Sequence, residues 1–479
     1  MESRKLLVLG AGPGGYAAAF LAADLGIKTT LIDTEVNPGG VCLYKGCIPS
    51  KALLHIANVI SESSEAKNYG VEFGKPKIDI SKMRSWKNDV VTKLTSGLGS
   101  LSRQRKIEYI RGFAKFINSE SIEITKEDNS KEKINFENVI IATGSSPAKI
   151  PGMSSESLNI LDSTSALDMK DIPKSMLVIG GGYIGLELGT VYAALGTKVT
   201  VVEMLPRLMN GADPDLVAVL SKNLQRIFES IMLSTKVTEL KETKGGIKIT
   251  FEDKDAKSSE KVFDKVLICI GRKPNSKDLG LENTKVKINE KGFIEVDKQM
   301  RSGDKNIFAI GDVVGEPMLA HKASHEGRVA AEVIAGSNVS FEPKAIPAVV
   351  FTDPEIAWCG ITEAQAKAEN IDITVAKFPW AASGRALTIA RTDGLTKLII
   401  DPDSERILGV GIVGKGAGDL ISEGVLAIEM GANAADLKLT IHPHPTLSET
   451  IMESAEVFFG QSTHVYKPRK TLKDEIRNE

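Results

Sequence analysis

Residues 5–33 read KLLVLGAGPGGYAAAFLAADLGIKTTLID: a short apolar run, a glycine-rich turn, an alanine-rich segment, and a second apolar run that ends in an acid. Gly10 permits a tight turn, Gly12 lets the backbone approach a pyrophosphate, and Gly15 lets helix and strand pack closely. The helix N-terminus then faces the phosphates, and Asp33 can accept a hydrogen bond from a ribose hydroxyl. The stretch predicts a Rossmann-like unit that binds a dinucleotide.

The same pattern recurs in the middle of the chain. Gly180, Gly182, Gly185 and Glu203 repeat the spacing of the first three glycines and their acid, again between apolar runs. One G-x-G-x-x-G motif is weak evidence, but two in register favour two ligand sites over glycine turns that bind nothing. The Glu203 carboxylate suits a free 2′-hydroxyl and repels a 2′-phosphate, which favours NAD over NADP. Arg207 is the one arginine close to this position.

Just beyond the first acid, residues 39–51 read GGVCLYKGCIPSK. Pro49 suits the first turn of a helix, and a cysteine at a helix N-terminus has its thiolate stabilised and its pKa lowered. Cys42 and Cys47 therefore have the properties that thiol–disulfide exchange requires. The alternatives are a zinc half-site and chance proximity; structural zinc commonly uses a shorter spacing and needs further ligands. The other two cysteines, Cys269 and Cys359, lie in apolar segments and are predicted to be buried and inert.

Together these motifs resemble those of the pyridine nucleotide–disulfide oxidoreductases, and the resemblance spans essentially the whole chain. Residues 40–51 resemble the family's redox-disulfide signature, although many members have Asn-Val where this chain has Tyr44 and Lys45. Neither residue performs exchange, so we expect tuning rather than loss of activity. The resemblance implies FAD and NAD as cofactors. The implied cofactor contacts are Gly10, Gly12, Gly15, Asp33, Gly40, Lys51, Gly112, Thr143, Gly144, Gly311, Asp312, Gly180, Gly182, Gly185, Glu187, Glu203 and Gly271.

A candidate base lies near the C-terminus, where residues 441–449 read IHPHPTLSE. Dithiol oxidation needs a group that deprotonates the attacking thiol, and a histidine oriented by a carboxylate suits this task. Thr446 and Glu449 also form a capping-box pattern that could simply begin a helix. The family resemblance favours the first interpretation. It implies His444 as the base, Glu449 as its partner and His442 as support.

The choice of substrate rests on the same resemblance. Residues 379–386 and the HPTLSE form resemble the branch of the family that oxidises protein-bound dihydrolipoamide to lipoamide while reducing NAD⁺ to NADH. That branch serves 2-oxoacid dehydrogenase complexes and glycine cleavage, so lipoyl domains and the glycine cleavage H protein are the implied partners. An NAD(P)H-dependent disulfide reductase for another small thiol stays open. A non-enzymatic nucleotide sensor predicts loss of a cysteine or of the His–Glu pair, and neither is lost.

The composition and length of the chain limit the classes of protein to which it can belong. The chain has 479 residues, of which 42% are hydrophobic and 25% charged, and its net charge is −2. The sequence has no basic patch that would indicate nucleic-acid binding and no apolar run long enough to span a membrane, so a cytoplasmic location is expected. The family resemblance implies a homodimer. The expected fold class is α/β, with two Rossmann-like domains, one for FAD and one for NAD, and a C-terminal α/β dimerisation domain. The predicted boundaries are 1–149 and 271–346 for the split FAD unit, 150–270 for the NAD domain and 347–479 for the interface domain.

Overall fold

The structure, a computed structural model, describes residues 3–150 and 157–466. The predicted units that begin at 1 and 150 and the one that ends at 479 therefore extend in part outside the described residues. The strands are β1 (Ser3–Leu9), β2 (Thr29–Asp33), β3 (Glu108–Asn118), β4 (Ser121–Lys126), β5 (Lys131–Ile141), β6 (Ser145–Pro147), β7 (Ile160–Leu161), β8 (Ser175–Ile179), β9 (Lys198–Val202), β10 (Ser230–Met232), β11 (Lys236–Thr243), β12 (Gly246–Glu252), β13 (Ser258–Phe263), β14 (Lys265–Ile268), β15 (Arg272–Pro274), β16 (Ile307–Ala309), β17 (Ala348–Val350), β18 (Glu355–Gly360), β19 (Thr374–Pro379), β20 (Leu395–Ile400) and β21 (Ile407–Gly414).

The α-helices are α1 (Pro13–Asp24), α2 (Gly40–Lys45), α3 (Cys47–Glu65), α4 (Ile80–Gln104), α5 (Tyr183–Ala194), α6 (Pro214–Ile227), α7 (Ala320–Ile334), α8 (Glu363–Glu369), α9 (Gly384–Thr388), α10 (Ala417–Met430), α11 (Ala434–Leu439) and α12 (Glu449–Phe458). Short 3-10 turns lie at Ala66–Tyr69, Ser165–Asp168, Leu281–Asn283, Gly311–Val313 and Trp380–Ala382. No helix in the described part of the chain combines the length and the apolarity that crossing a bilayer requires.

The first sheet combines strands from both ends of the predicted FAD unit. Its parallel part has the order β3-β2-β1-β5-β16, and β4 joins β3 to β5 as an antiparallel hairpin. Residues 6–9 of β1 are apolar and buried on both faces: Leu6 and Val8 pack with helices α1 and α7, and Leu7 and Leu9 pack with residues of β3, β4 and β5. The chain leaves this sheet after β5 and returns to it at β16, next to β5. The carboxyl ends of β1, β5 and β16 therefore lie side by side.

The second sheet repeats the first. β8, β9 and β14 pair in parallel in the order β9-β8-β14, as β2, β1 and β5 do in the first sheet, and β10 and β7 complete it. An antiparallel sheet of β11, β12 and β13 lies beside it. The C-terminal unit is a five-stranded antiparallel sheet in the order β17-β18-β21-β20-β19. The predicted α/β fold class, two Rossmann-like units followed by a smaller α/β unit, is confirmed.

One apolar cluster joins all three units. Leu54 on α3, Leu186 on α5 and Val350 on β17 are buried together in it. Such shared burial fixes the units relative to one another, because separating them would expose apolar surface to water. The places where α3, α5 and the end of β17 meet are consequently well defined, and the functional site lies there.

Candidate active site

The first glycine turn leaves no room for side chains. Gly10 has φ +100°, and a Cβ there would lie 2.3 Å from the carbonyl oxygen of Ala142. A Cβ on Gly15 would lie 1.8 Å from the carbonyl oxygen of Gly10, so the start of α1 packs directly against the end of β1. The Asp33 carboxylate accepts a hydrogen bond from the Ala11 N–H at 2.6 Å. The acid is thereby held at the mouth of the turn.

The second turn has the same geometry. Gly180 has φ +110°, and a Cβ there would lie 2.3 Å from the carbonyl oxygen of Cys269. A Cβ on Gly185 would lie 2.5 Å from the Gly180 carbonyl oxygen, and the Glu203 carboxylate accepts the Gly181 N–H at 2.6 Å. The sequence repeat is thus a structural repeat, with each acid held by the glycine turn of its own unit. Cys269 lies at this turn and is only partly buried, so its predicted full burial was wrong, whereas Cys359 is buried; the inertness of both stays a prediction.

Most of the residues predicted for the first site line one cleft of about 360 Å³. The structure brings together Gly10, Gly12, Asp33, Gly40, Cys42, Cys47, Lys51, Thr143, Gly144, Glu187, Gly311 and Asp312. The predicted residues outside its lining are Gly15, Gly112, Gly180, Gly182, Gly185, Glu203, Gly271, His444 and Glu449. Gly112 lies on β3, where a Cβ would lie 2.7 Å from the carbonyl oxygen of Thr125. The cleft therefore unites the first glycine turn with the cysteine pair.

The shape of the cleft fits an extended dinucleotide. Gly40 has φ +58°, and a Cβ there would lie 2.4 Å from Cα of Gly12, so the backbones of the two loops touch. The N-terminus of α1 opens into this space, where its free N–H groups suit a pyrophosphate. Gly144 and Gly311 also have positive φ and present backbone to the cleft. These residues fit the phosphates and sugar of FAD.

The cysteine pair lies at the junction of two helices. Cys42 is on α2 and Cys47 is the first residue of α3, so the predicted helix begins two residues before Pro49. Both cysteines are free thiols, and the accessible surface of Cys47 faces the cleft. A hydrogen bond from Cys42 lowers the pKa of Cys47 to about 7, and Lys51 adds to this effect against burial and Glu187. The pKa of Cys42 is raised, first because it donates that hydrogen bond and second because it is buried.

We expect Cys47 to react as a thiolate near neutral pH in the reduced protein. With its pKa lowered from 9.0 to about 7, about half of Cys47 is ionised at pH 7 instead of about 1%. Its alkylation by iodoacetamide, followed by peptide mass spectrometry, should therefore rise with pH to a plateau with a midpoint near 7, while Cys42 reacts only at much higher pH. Cys42→Ala removes the hydrogen-bond donor and should move the midpoint upward. A midpoint near 9 in the intact pair would contradict this assignment.

Lys51 and Glu187 form an ion pair on the wall of the cleft. Lys51 Nζ lies 2.7 Å from Glu187 Oε2, and the Glu187 side chain is 3% exposed. Ser50 Oγ donates to the same oxygen at 3.1 Å. The sequence alone allowed both residues to be solvent-exposed surface charges. Their pairing brings a cation on α3 and an anion on α5 next to Cys47.

The two residues that depart from the family pattern are both anchored. The Tyr44 hydroxyl donates to the carbonyl oxygen of Asn37 at 3.1 Å and accepts the N–H of the same residue at 3.2 Å. Lys45 Nζ pairs with Glu35 Oε1 at 2.6 Å, and both residues line the cleft. These contacts tie α2 to the loop that follows Asp33. Tyr44 and Lys45 therefore stabilise the position of the segment between the two cysteines.

The sequence did not reveal several polar residues that line the cleft or hold its lining in place. The Ser145 hydroxyl donates to Asp312 and accepts from Arg272 Nε at 2.7 Å. The buried carboxylate of Glu326 accepts the Gly311 N–H at 2.6 Å and pairs with Lys322 at 2.6 Å. Ser145 and Glu326 each contact a predicted residue, and Arg272 and Lys322 hold those two in turn, but none of the four belongs to a recognisable short motif. The four-residue spacing of Lys322 and Glu326 on α7 was the only available signal.

The histidine pair lies on the C-terminal unit. His444 Nδ1 is 2.9 Å from Glu449 Oε1, and the His444 side chain is 74% exposed. The Thr446 N–H donates to Glu449 Oε2 at 2.8 Å, so Glu449 both orients the histidine and holds the turn that precedes α12. Burial alone would raise the pKa of Glu449, but the Thr446 hydrogen bond and His444 outweigh it and lower the pKa. His442 is buried against Glu423 at 2.7 Å, as a supporting residue would be.

Comparisons with known proteins agree with this geometry. Residues 4–327 match the pyridine nucleotide-disulphide oxidoreductase family, and residues 346–455 match its dimerisation domain. The chain belongs to this family. It is 50% identical over 459 residues to a dihydrolipoyl dehydrogenase of Vibrio cholerae, covering 96% of each chain. It is 45% identical to the dihydrolipoyl dehydrogenase of Geobacillus stearothermophilus, covering 96% of this chain and 97% of that one.

Solved structures of the family superpose well on the chain. The HOCl-induced flavoprotein disulfide reductase RclA from Escherichia coli, in a Cu(II) complex, gives a TM-score of 0.85 at 27% identity. LpdA from Mycobacterium tuberculosis gives 0.87 at 25% identity. Each match covers 95% of this chain and 99% of the other. The whole chain, from the first glycine turn to the C-terminal unit, therefore has the fold of this family.

Proposed function

We propose that the protein is a dihydrolipoamide dehydrogenase, which oxidises protein-bound dihydrolipoamide to lipoamide and reduces NAD⁺ to NADH. The observation that carries this proposal is the Cys42–Cys47 pair at the junction of α2 and α3, where both cysteines line a cleft that fits FAD. Relatives named dihydrolipoyl dehydrogenase at 50% identity over nearly the full length support the same substrate. A reductase for another small thiol is not favoured by these relatives.

The cofactors are FAD and NAD. Gly10, Gly12 and Asp33 would hold the pyrophosphate and ribose of FAD in the cleft, whose lining also includes Gly311 and Asp312. Gly180, Gly182, Gly185, Glu203 and Gly271 are the proposed contacts of the NAD site, and the Lys51–Glu187 pair is proposed to lie beside the flavin. When bound, FAD would supply the electron relay between the dithiol and NAD⁺.

The protein residues perform the thiol chemistry. His444, oriented by Glu449, takes a proton from one thiol of dihydrolipoamide, and the resulting thiolate attacks Cys42 of the Cys42–Cys47 disulfide. The S–S bond breaks, a mixed disulfide forms, and Cys47 leaves as a thiolate. The second substrate thiol then displaces Cys42, which releases lipoamide and leaves two reduced cysteines. Lys51 stabilises the negative charge that collects around Cys47.

The C-terminal match is to a dimerisation domain, and the chain forms a homodimer. Exposed apolar side chains of the C-terminal unit are suited to burial between subunits. They are Leu426 at 61%, Met430 at 77%, Leu439 at 76% and Ile441 at 95% exposure. We propose 1–149 with 271–346 as the FAD unit, 150–270 as the NAD domain and 347–479 as the interface domain. The proposed partners are lipoyl domains of 2-oxoacid dehydrogenase complexes or the glycine cleavage H protein, in the cytoplasm.

The proposal is tested by substrate competition. NAD⁺ reduction at 340 nm should be rapid with dihydrolipoamide and slower by at least about a hundred-fold with glutathione or reduced trypanothione. A free lipoyl domain carrying reduced lipoyl-lysine serves as the protein-bound substrate. Equal or faster turnover with another thiol would exclude dihydrolipoamide as the substrate and leave the general disulfide chemistry in place.

Glu203 should determine the nucleotide preference. Glu203→Gln with Met204→Arg should lower the preference for NAD⁺ over NADP⁺ by at least about ten-fold, because the repelling charge is lost and a cation is gained beside the 2′ position. Gln can still accept the Gly181 N–H through its one amide oxygen but loses the hydrogen bond that Glu203 accepts from the Leu205 N–H, so the control variant also measures the cost of that loss. Met204 is 68% exposed, so an arginine there meets no packing. The ratio of kcat/KM for the two nucleotides measures the change, with Glu203→Gln alone as the control. A wild-type preference for NADP⁺ would show that Glu203 was misinterpreted.

A further inference from the structure

One buried carboxylate joins the three units of the fold. Glu187 on α5 accepts from Ser50 and Lys51 of α3 at its Oε2, and its Oε1 accepts the Phe351 N–H at 3.0 Å. Phe351 follows directly on β17, the first strand of the C-terminal unit. A carboxylate this deeply buried is stable only when its oxygens are hydrogen-bonded and its charge is paired. The C-terminal unit therefore supplies part of the support for the Lys51–Glu187 pair.

The ring of Phe351 makes a second contact with the same pair. Lys51 Nζ lies 4.5 Å from the ring centroid, within the distance at which an ammonium is attracted to an aromatic face. Lys51 is thus held between a ring and a carboxylate, with the cleft on its open side. Its side chain is 32% exposed, so without the ring its ammonium could turn toward water. Phe351 also packs against the apolar cluster shared by the three units.

We propose that Phe351 is a positioning residue for the dithiol centre: its ring and its N–H hold the Lys51–Glu187 pair so that the Lys51 ammonium stays beside Cys47. The role of the dithiol rests on the proposed function, but the position of Lys51 does not. The residue belongs to the C-terminal unit, whereas the cysteines belong to the first. Docking of the C-terminal unit against the other two consequently sets the charge environment of the electron relay.

The ionisation of the Cys47 thiol depends on the position of the Lys51 charge. Lys51 favours the Cys47 thiolate and Glu187 opposes it, so any displacement of Lys51 changes the balance. The titratable groups that interact with Cys47 are Cys42, Lys51, Glu187, Tyr16 and Tyr183. Phe351 itself carries no charge. A change in Cys47 ionisation on replacing Phe351 is therefore transmitted either by one of these groups or by a change in the burial of the thiol.

The test measures Cys47 alkylation against pH in the reduced, FAD-loaded protein, by peptide mass spectrometry. Phe351→Leu removes the ring but keeps the N–H and the apolar bulk, and should raise the apparent pKa of Cys47 by about half a unit. Phe351→Tyr keeps a ring and should leave the value unchanged. Phe459→Leu is the matched control, because Phe459 also has a lysine over its ring, at 5.0 Å, in the same unit.

A double-mutant cycle separates positioning from a general structural effect. In a Lys51→Gln background, Phe351→Leu should have no further effect on the Cys47 midpoint, because the group through which it acts is gone. An unchanged midpoint in Phe351→Leu, or an equal shift with Lys51→Gln present, would overturn the proposal. Phe351→Met gives the same readout if the leucine variant does not fold. The assay uses neither NAD⁺ nor dihydrolipoamide, so it succeeds or fails independently of the proposed substrate.

Discussion

Cys42→Ser and Cys47→Ser should each lower dihydrolipoamide-dependent reduction of NAD⁺ by about a thousand-fold or more. Serine cannot form the disulfide that receives electrons from the substrate, so the thiol chemistry stops at its first step. The two residues act as one unit, and the double variant should therefore be no slower than either single variant. FAD should stay bound, because the glycine turns that form the cleft are unaffected.

Steady-state assays and the flavin absorbance of the purified variants measure the two effects. Titration of denatured oxidised protein should find two fewer free thiols than the same protein after reduction. Cys359→Ala is the matched control: Cys359 is buried on β18, away from the cleft lining, and its loss should leave turnover close to wild type. Appreciable lipoamide formation by either serine variant would contradict the assignment of Cys42 and Cys47 as the residues that receive the substrate's electrons.

The sequence could predict those parts of the site that local steric requirements determine. Gly10 and Gly180 both have positive φ, with a backbone carbonyl where a Cβ would be, so no other residue fits either turn. Asp33 and Glu203 could also be predicted, because each lies at the end of the strand next to its glycine turn. The position of Cys47 at a helix N-terminus follows from the turn at Gly46 and from Pro49. In each of these cases a few neighbouring residues determine the geometry.

The parts that sequence could not predict depend on contacts between distant residues. Glu326 holds Gly311 from another element, and Arg272 reaches Ser145 across 127 positions of the chain. Phe351 reaches Glu187 across 164 positions. Nothing in the local sequence around Phe351 distinguishes it from an ordinary residue at the end of a strand. The role of His444 as the base and the positions of the domain boundaries stay predictions from family resemblance.

The location of His444 predicts that each active site is shared between two subunits. A dithiol substrate has to contact Cys42 and the base together, within about one hydrogen bond of His444. His444 is 74% exposed on the C-terminal unit and is absent from the residues that line the described cleft. In a two-fold dimer the C-terminal unit of one subunit can instead reach the cysteines of the other. Each active site would then take its cysteines from one chain and its His444–Glu449 pair from the other.

Mixing inactive Cys42→Ser protein with inactive His444→Ala protein should consequently restore activity. Under conditions that exchange subunits, half of the dimers are mixed, and each mixed dimer has one wild-type site and one site with both substitutions. Random exchange should therefore recover about a quarter of wild-type turnover, an estimate that rests on the two-fold symmetry. Native mass spectrometry of an isotope-labelled partner shows whether exchange occurred, and Glu449→Gln in place of His444→Ala should complement in the same way. Exchange without recovery would mean that each site is built within a single chain.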